Sequence, residues 1–120
     1  MSWSQGTAKK PTGRDWKRRY PRYRTEIPIK VRLLAEGGYT DVLGRCSDIG
    51  EGGAGAVLTA EVPKGEVVDL ELSCPGGEQF AVRAIVRYRR GLLHGFEFMS
   101  LSTEQRSLVG SLCAGRPILP

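Results

Sequence analysis

The residues best suited to chemistry in this chain lie in two short stretches. The first, Lys17-Arg18-Arg19-Tyr20-Pro21-Arg22-Tyr23-Arg24, packs five cations and two aromatic rings into eight residues. A guanidinium group is a planar fork that holds a phosphate bidentately or stacks on an aromatic face; lysine supplies charge without the fork. Pro21 has no backbone N–H and pushes Tyr20 toward an extended conformation, so the stretch reads as a ribbon rather than a helix interior. A ribbon of this kind suits a flat polyanion. The second stretch, Asp48-Ile49-Gly50-Glu51-Gly52-Gly53-Ala54-Gly55, holds four glycines in eight residues beside a carboxylate. It lets a ligand come close to the backbone. Each stretch has an ordinary alternative, a solvated basic arm for the first and a glycine-rich hairpin turn for the second.

The charge distribution favours the chemical reading. Residues 1–24 carry eight Lys/Arg against Asp15 alone, and residues 25–120 carry ten Lys/Arg against twelve Asp/Glu, which leaves a net +5 over 120 residues. A near-neutral body with a cationic front end points to an anionic partner for that end: nucleic acid, a nucleotide or an acidic membrane surface. No apolar run is long enough to span a membrane and no charged-then-apolar leader opens the chain, so a cytoplasmic protein is expected. Cys46, Cys74 and Cys113 are odd in number, widely spaced and without a CxxC, which indicates buried or half-buried free thiols rather than disulfides or zinc. His94 is the only histidine. It is expected to be structural, at a strand position. No metal cluster, catalytic triad or cofactor site is indicated, and nothing resembles an enzyme.

The elements that must position the two stretches follow from hydrophobic periodicity. Residues 1–16 are rich in Ser, Thr, Gly, Lys and Pro and are expected to be a disordered basic arm. Trp3 and Trp16 are its exceptions, and Trp16 suits either stacking on a base or covering a barrel rim. From Glu26 the pattern changes. Ile27, Ile29, Val31 and Leu33 alternate with polar residues, as in a half-buried strand, and Pro28 restricts that strand to an edge or opening position. Further strands are predicted over Tyr39–Ile49, Ala54–Thr59, Val67–Ser73, Gln79–Arg89 and Leu93–Met99, separated by turns at Gly37-Gly38, Pro63-Lys64-Gly65, Cys74-Pro75-Gly76-Gly77 and Arg90-Gly91. Ser102-Thr103-Glu104-Gln105 is a capping box; the helix it opens carries a Leu108, Val109, Leu112 stripe and ends at Gly115 and Pro117. The architecture expected is all-β with one C-terminal helix, a six-stranded antiparallel barrel or meander in a single domain.

Arg18-x-x-x-Arg22, a strand, and Asp48-x-Gly50-x-x-Gly53 some 26 residues later resemble the bipartite signature of PilZ domains, RxxxR followed by (D/N)xSxxG. Pro28, the Gly52–Gly55 run, Gly95-Phe96-Glu97-Phe98 and Leu101-Ser102-x-Glu104-Gln105-Arg106 support the resemblance, which covers residues 17 to about 114. It implies a six-stranded antiparallel PilZ barrel with a C-terminal helix over 17–114, including the ligand-binding arm at 17–24, and a tail at 115–120. It also implies cyclic di-GMP as ligand. Arg18 and Arg22 then correspond to the motif arginines, and Gly53 to the final glycine. Asp48 occupies the acidic position, where a carboxylate accepts from guanine N1–H and the exocyclic amine and rejects adenine. Gly50 departs from the motif's serine, and the lost hydroxyl costs one hydrogen bond unless a backbone N–H or a water replaces it. Lys17 precedes the first motif arginine, a position that in the family influences whether one ligand or a stacked pair is bound. With Arg19 beside it, a stacked pair is expected.

These expectations combine into a receptor and adaptor. Residues 1–24 are mobile without ligand, the two phosphates neutralise the cluster, the arm closes over the Gly50–Gly55 face, and a new surface forms. The output passes to an effector protein, not identified by the sequence, or through self-association as a homodimer. Two other readings remain. One is a ligand-blind PilZ adaptor working by protein contacts alone, against which Arg18, Arg22 and Asp48 argue. The other is a small nucleic-acid-binding barrel; the net-acidic body and the lack of an aromatic platform along the strands argue against DNA.

Overall fold

The computed structural model describes residues 20–120, and in it the alternating segments close on themselves. Six strands, β1 (Tyr23–Ala35), β2 (Gly38–Ile49), β3 (Gly53–Leu58), β4 (Val67–Ser73), β5 (Gln79–Arg90) and β6 (Leu93–Phe98), precede one helix, α1 (Thr103–Cys113). Every pairing is antiparallel, and the spatial order β1-β2-β3-β6-β5-β4 closes because β4 returns to β1. Closure removes the sheet edges that would otherwise template aggregation. The expected barrel and C-terminal helix are therefore observed.

Period-two alternation decides what lies inside. Ile27, Ile29 and Val31 of β1, Val68, Leu70 and Leu72 of β4, and Phe80, Val82, Ala84 and Val86 of β5 are all buried. Phe96 and Phe98 of β6 join them, and Phe98 meets Phe80 edge-on with ring centroids 5.7 Å apart. Pro28 is paired across to Arg45 of β2, whereas the β4 ladder begins only at Ile29. Only one flank of the strand is bonded at Pro28, which satisfies the edge restriction inside a closed barrel. His94 is fully buried. Its Nε2 accepts from the Val62 amide at 2.9 Å and its Nδ1 donates to the Leu92 carbonyl at 2.7 Å, so both ring nitrogens serve the fold.

Helix α1 begins with the predicted capping box: Ser102 Oγ accepts from the Gln105 amide and Gln105 Oε1 accepts from the Ser102 amide. Val109 and Leu112 are buried, with Leu108 packed beside them. The helix ends at Ala114 and Gly115, the latter with φ +73°, a left-handed conformation that glycine adopts without strain. Arg116 Nε donates back to the Leu112 carbonyl at 3.0 Å.

Two differences from expectation bear on the site. Strand β1 starts at Tyr23, four residues before the alternation becomes visible, because Tyr23 and Arg24 pair with Ile49 and Asp48 at the end of β2. Residues 115–120, expected only as a tail after the helix, pair with the start of β1. Arg24 N–H donates to the Pro117 carbonyl at 2.9 Å, Leu119 N–H donates to the Arg22 carbonyl at 2.8 Å, and Tyr23 bridges Ile118. The expected mobility of residues 1–24 therefore does not extend to 22–24, whose backbone is paired. The disorder expected for 1–16, and the roles given to Trp3 and Trp16, lie outside the described residues.

Candidate functional site

The site forms where the arm crosses the glycine loop between β2 and β3. Gly50 N–H donates to the Gly53 carbonyl at 2.9 Å, and Phe98 N–H donates to the Gly52 carbonyl at 3.0 Å, so the loop is tied to itself and to the end of β6. Residues 20–22 lie directly on it. A Cβ at Gly50 would run into the Pro21 carbonyl oxygen, and one at Gly52 would stand 3.0 Å from the Tyr20 ring. A Cβ at Gly53 would meet both the Phe96 carbonyl and, at 2.8 Å, the Arg22 guanidinium. The glycines are needed because the arm and the neighbouring strand occupy the space that side chains would fill.

Asp48 and Arg22 meet above this floor. Arg22 Nη1 donates to Asp48 Oδ1 at 2.8 Å, with side-chain exposures of 16% and 17%. At that burial the pair is screened less than a surface ion pair, and removing one partner would strand the other. Asp48 is placed by its own strand: one extra residue of β2 lies between Cys46 and Asp48 relative to β3, and this bulge turns the carboxylate outward. Oδ2 lies 2.5 Å from where a Gly55 Cβ would stand, so Gly55 makes room for it. Beneath, Cys46 is fully buried and its Sγ donates to the Asp48 carbonyl at 3.2 Å. Burial, reinforced by the Asp48 charge, pushes the Cys46 thiol up to about 12.

Of the residues singled out from the sequence, the fold brings Arg22, Asp48, Gly50 and Gly53 together. Lys17, Arg18 and Arg19 lie outside the described residues. The ion pair itself was not foreseen, since Asp48 was expected to await a ligand and instead already holds Arg22. Gly50 acquires a cause beyond a missing hydroxyl: the path of Pro21 requires a residue without a Cβ. On the other side of the arm a cleft of about 380 Å³ opens toward α1, lined by Tyr20, Pro21, Tyr23, Glu51, Cys113 and Arg116 among others. It contains neither Arg22 nor Asp48 and is a separate feature.

A family model described as the PilZ domain matches residues 17–115. The chain belongs to the PilZ family. Among curated proteins, an uncharacterized protein of Aquifex aeolicus (strain VF5) is 34% identical over 98 residues, covering 78% of this chain and 46% of the relative. This PilZ chain thus spans about half the length of that relative. The PilZ domain of YcgR from Escherichia coli, solved with c-di-GMP, superposes with a TM-score of 0.69 at 17% identity, covering 82% of this chain and 89% of that one. The PilZ domain of CeSA from a cellulose-synthesizing bacterium gives 0.60 at 22% identity, covering 78% and 95%. The Bacillus subtilis inhibitor of motility MotI/DgrA gives 0.66 at 17%, covering 86% and 54%. At these identities the likeness is one of fold. Among the described residues no helix is long and apolar enough to cross a membrane.

Proposed function

We propose that this PilZ domain is a receptor for cyclic di-GMP. The observation that carries the reading is the Arg22–Asp48 pair held over a glycine-rich loop, with Arg18 four residues upstream in sequence. The presence of c-di-GMP in the YcgR PilZ structure supports it. Cyclic di-GMP presents two phosphodiester anions and two guanines. Arg18 and Arg22 supply forks to a phosphate, to the O6/N7 edge of guanine, or flat against the purine. Asp48 accepts from guanine N1–H and the exocyclic amine, a donor pair adenine lacks. Arg22 stays beside Asp48 and neutralises it, so the ligand's phosphates do not face an isolated carboxylate. Gly50 offers its place to the Pro21 carbonyl, and Gly53 leaves the Arg22 guanidinium unobstructed.

Lys17 and Arg19 flank the first fork and add charge for a stacked pair of ligands. Residues 17–19 close over the loop when the phosphates neutralise them, and the altered arm is read by an effector protein or a second copy of the chain. Titration calorimetry tests this with cyclic di-GMP, cyclic di-AMP and single-stranded DNA, each at two salt concentrations. The expected result is micromolar or tighter binding of cyclic di-GMP alone, abolished in Arg22→Ala. No heat with cyclic di-GMP, together with DNA binding that falls steeply as salt rises, would overturn the reading. Silence with every ligand would leave the ligand-blind adaptor in its place.

A further inference from the structure

Along the barrel wall, Arg32, Arg83, Arg87 and Arg89 each meet a carboxylate, of Asp41, Asp69, Glu97 and Glu61 respectively. Arg45 of β2 and Arg90 of β5 are exposed and, among the described residues, have no carboxylate within salt-bridge reach. Arg45 Nη2 donates to the Glu26 carbonyl at 3.1 Å, which satisfies one N–H and leaves the charge unbalanced. The register sets these two charges at the ends of one row. Arg45 faces Val57 of β3, Val57 faces Leu93 of β6, and Leu93 faces Arg90 of β5. Residues paired across antiparallel strands share a face, so the row reads cation, aliphatic, aliphatic, cation. With strands about 4.8 Å apart, it is about 14 Å long.

Alternation aims the row outward. Cys46, Ala56, Leu58 and His94, the chain neighbours of Arg45, Val57 and Leu93, are buried, so the row itself faces away from the core. On β5 the aim depends on a bulge: relative to β6, one extra residue lies between Val86 and Tyr88. Val86 is fully buried, and strict alternation would turn Arg90 inward with it. Val57 is 49% exposed and Leu93 38%, and Leu43, two residues before Arg45 on the same face, adds apolar area at 57%. The flanking arginines are longer than either aliphatic side chain. The Val57–Leu93 pair therefore forms the floor of a shallow saddle between two cations. A flat bilayer would meet the guanidinium groups first, whereas a projecting apolar side chain reaches the floor.

We propose that this row is a docking surface for an acidic amphipathic helix of a partner protein. Charge complementarity sets the sign: carboxylates at the two ends, apolar residues between them. A second copy of the chain does not supply this, because twofold pairing along the row places arginine on arginine. Barrel closure sets the form. The strands are bonded on both flanks, so an extended segment finds no edge to join and its backbone stays unpaired; a helix satisfies its own. On a helix, apolar residues at i and i+3 stand about 4.5 Å apart, the spacing of neighbouring strands, and carboxylates at i−4 and i+7 span about 16.5 Å. The pattern Glu-x-x-x-Leu-x-x-Leu-x-x-x-Glu thus overlays the row, given the reach of two arginine side chains. The surface uses neither Arg22 nor Asp48, so the inference stands apart from the cyclic di-GMP reading.

A synthetic peptide of this pattern, with alanine and glutamine at the x positions, tests the surface by NMR titration of the isotope-labelled intact chain without cyclic di-GMP. Saturable amide shifts centred on Val57 and Leu93 are expected. Reversing both charges, Arg45→Glu with Arg90→Glu, should weaken the peptide at least about tenfold and instead admit a peptide carrying Lys in place of Glu. Val57→Asp, made separately, should weaken it too, and thermal midpoints near wild type record that each barrel is intact. Three results would overturn the inference. One is that no peptide binds, or that Glu and Lys peptides bind wild type alike. Another is undiminished binding of the Glu peptide by the charge-reversed variant, the mark of capture by the cationic stretch before β1. The third is binding to phosphatidylglycerol vesicles but not to the peptide, which makes the row a membrane contact.

Discussion

Gly50 is the residue at which this site departs from its family's pattern, and the structure gives the departure a steric cause. The Pro21 carbonyl occupies the volume that a Cβ would need, and the contact is with backbone, which cannot swing aside as a side chain can. Restoring the family's serine should therefore damage the site. Gly50→Ser is expected to lower stability by about 1–3 kcal/mol through forced displacement of the arm, and to weaken cyclic di-GMP binding. Thermal denaturation paired with calorimetry checks this; a serine variant with an unchanged midpoint and tighter binding would show that Pro21 yields freely. Cys46, under Asp48, makes a second prediction at this scale. Its thiol is raised from 9.0 to about 12, chiefly by burial. The folded state thus holds a proton that the unfolded chain releases near pH 9, and the associated stability is intact below that pH and lost as pH climbs toward 12. Chemical denaturation at successive pH values should give a shallower decline between pH 9 and 11 in Cys46→Ala than in wild type.

At the scale of elements, the strands and the helix were legible because burial on one face leaves a period-two or i, i+4 trace in the residue types. Val68, Leu70 and Leu72 announce their strand, and Ser102 with Gln105 announces the helix start. The glycine loop and its acidic neighbour were legible for the same local reason. What was not legible depends on the count of residues in two strands at once. The bulges before Asp48 and Tyr88 leave no compositional mark, and alternation alone points both side chains the wrong way. The pairing of the tail was equally hidden, since Pro117-Ile118-Leu119 reads as a short apolar end after a helix stop. That tail now has a role to test. It bonds the backbone on both sides of Tyr23, one residue beyond Arg22. Ending the chain at Arg116 should free the start of β1, speeding hydrogen exchange at the Arg24 amide while amides of the barrel core such as Val31 are unaffected. Unchanged protection at Arg24 would mean that β2 alone holds the arm.

For the whole molecule, the barrel supplies rigidity and the arm supplies charge. Closure of six strands fixes β2, β3 and β6 relative to one another, so the Asp48 carboxylate and the glycine loop are held on a rigid frame. In sequence, the cationic excess is confined to residues 1–24 and precedes a net-acidic remainder, which concentrates attraction for an anion in the first part of the chain. On the proposed reading neither part suffices by itself: the arm lacks the guanine acceptor, and the glycine loop lacks the phosphate forks. Their meeting point is Arg22 against Asp48. The measurement that tests this most directly is a calorimetric titration of the intact chain with cyclic di-GMP near physiological salt. The account predicts micromolar or tighter binding that saturates with a stacked pair of ligands per chain; a flat titration would contradict it.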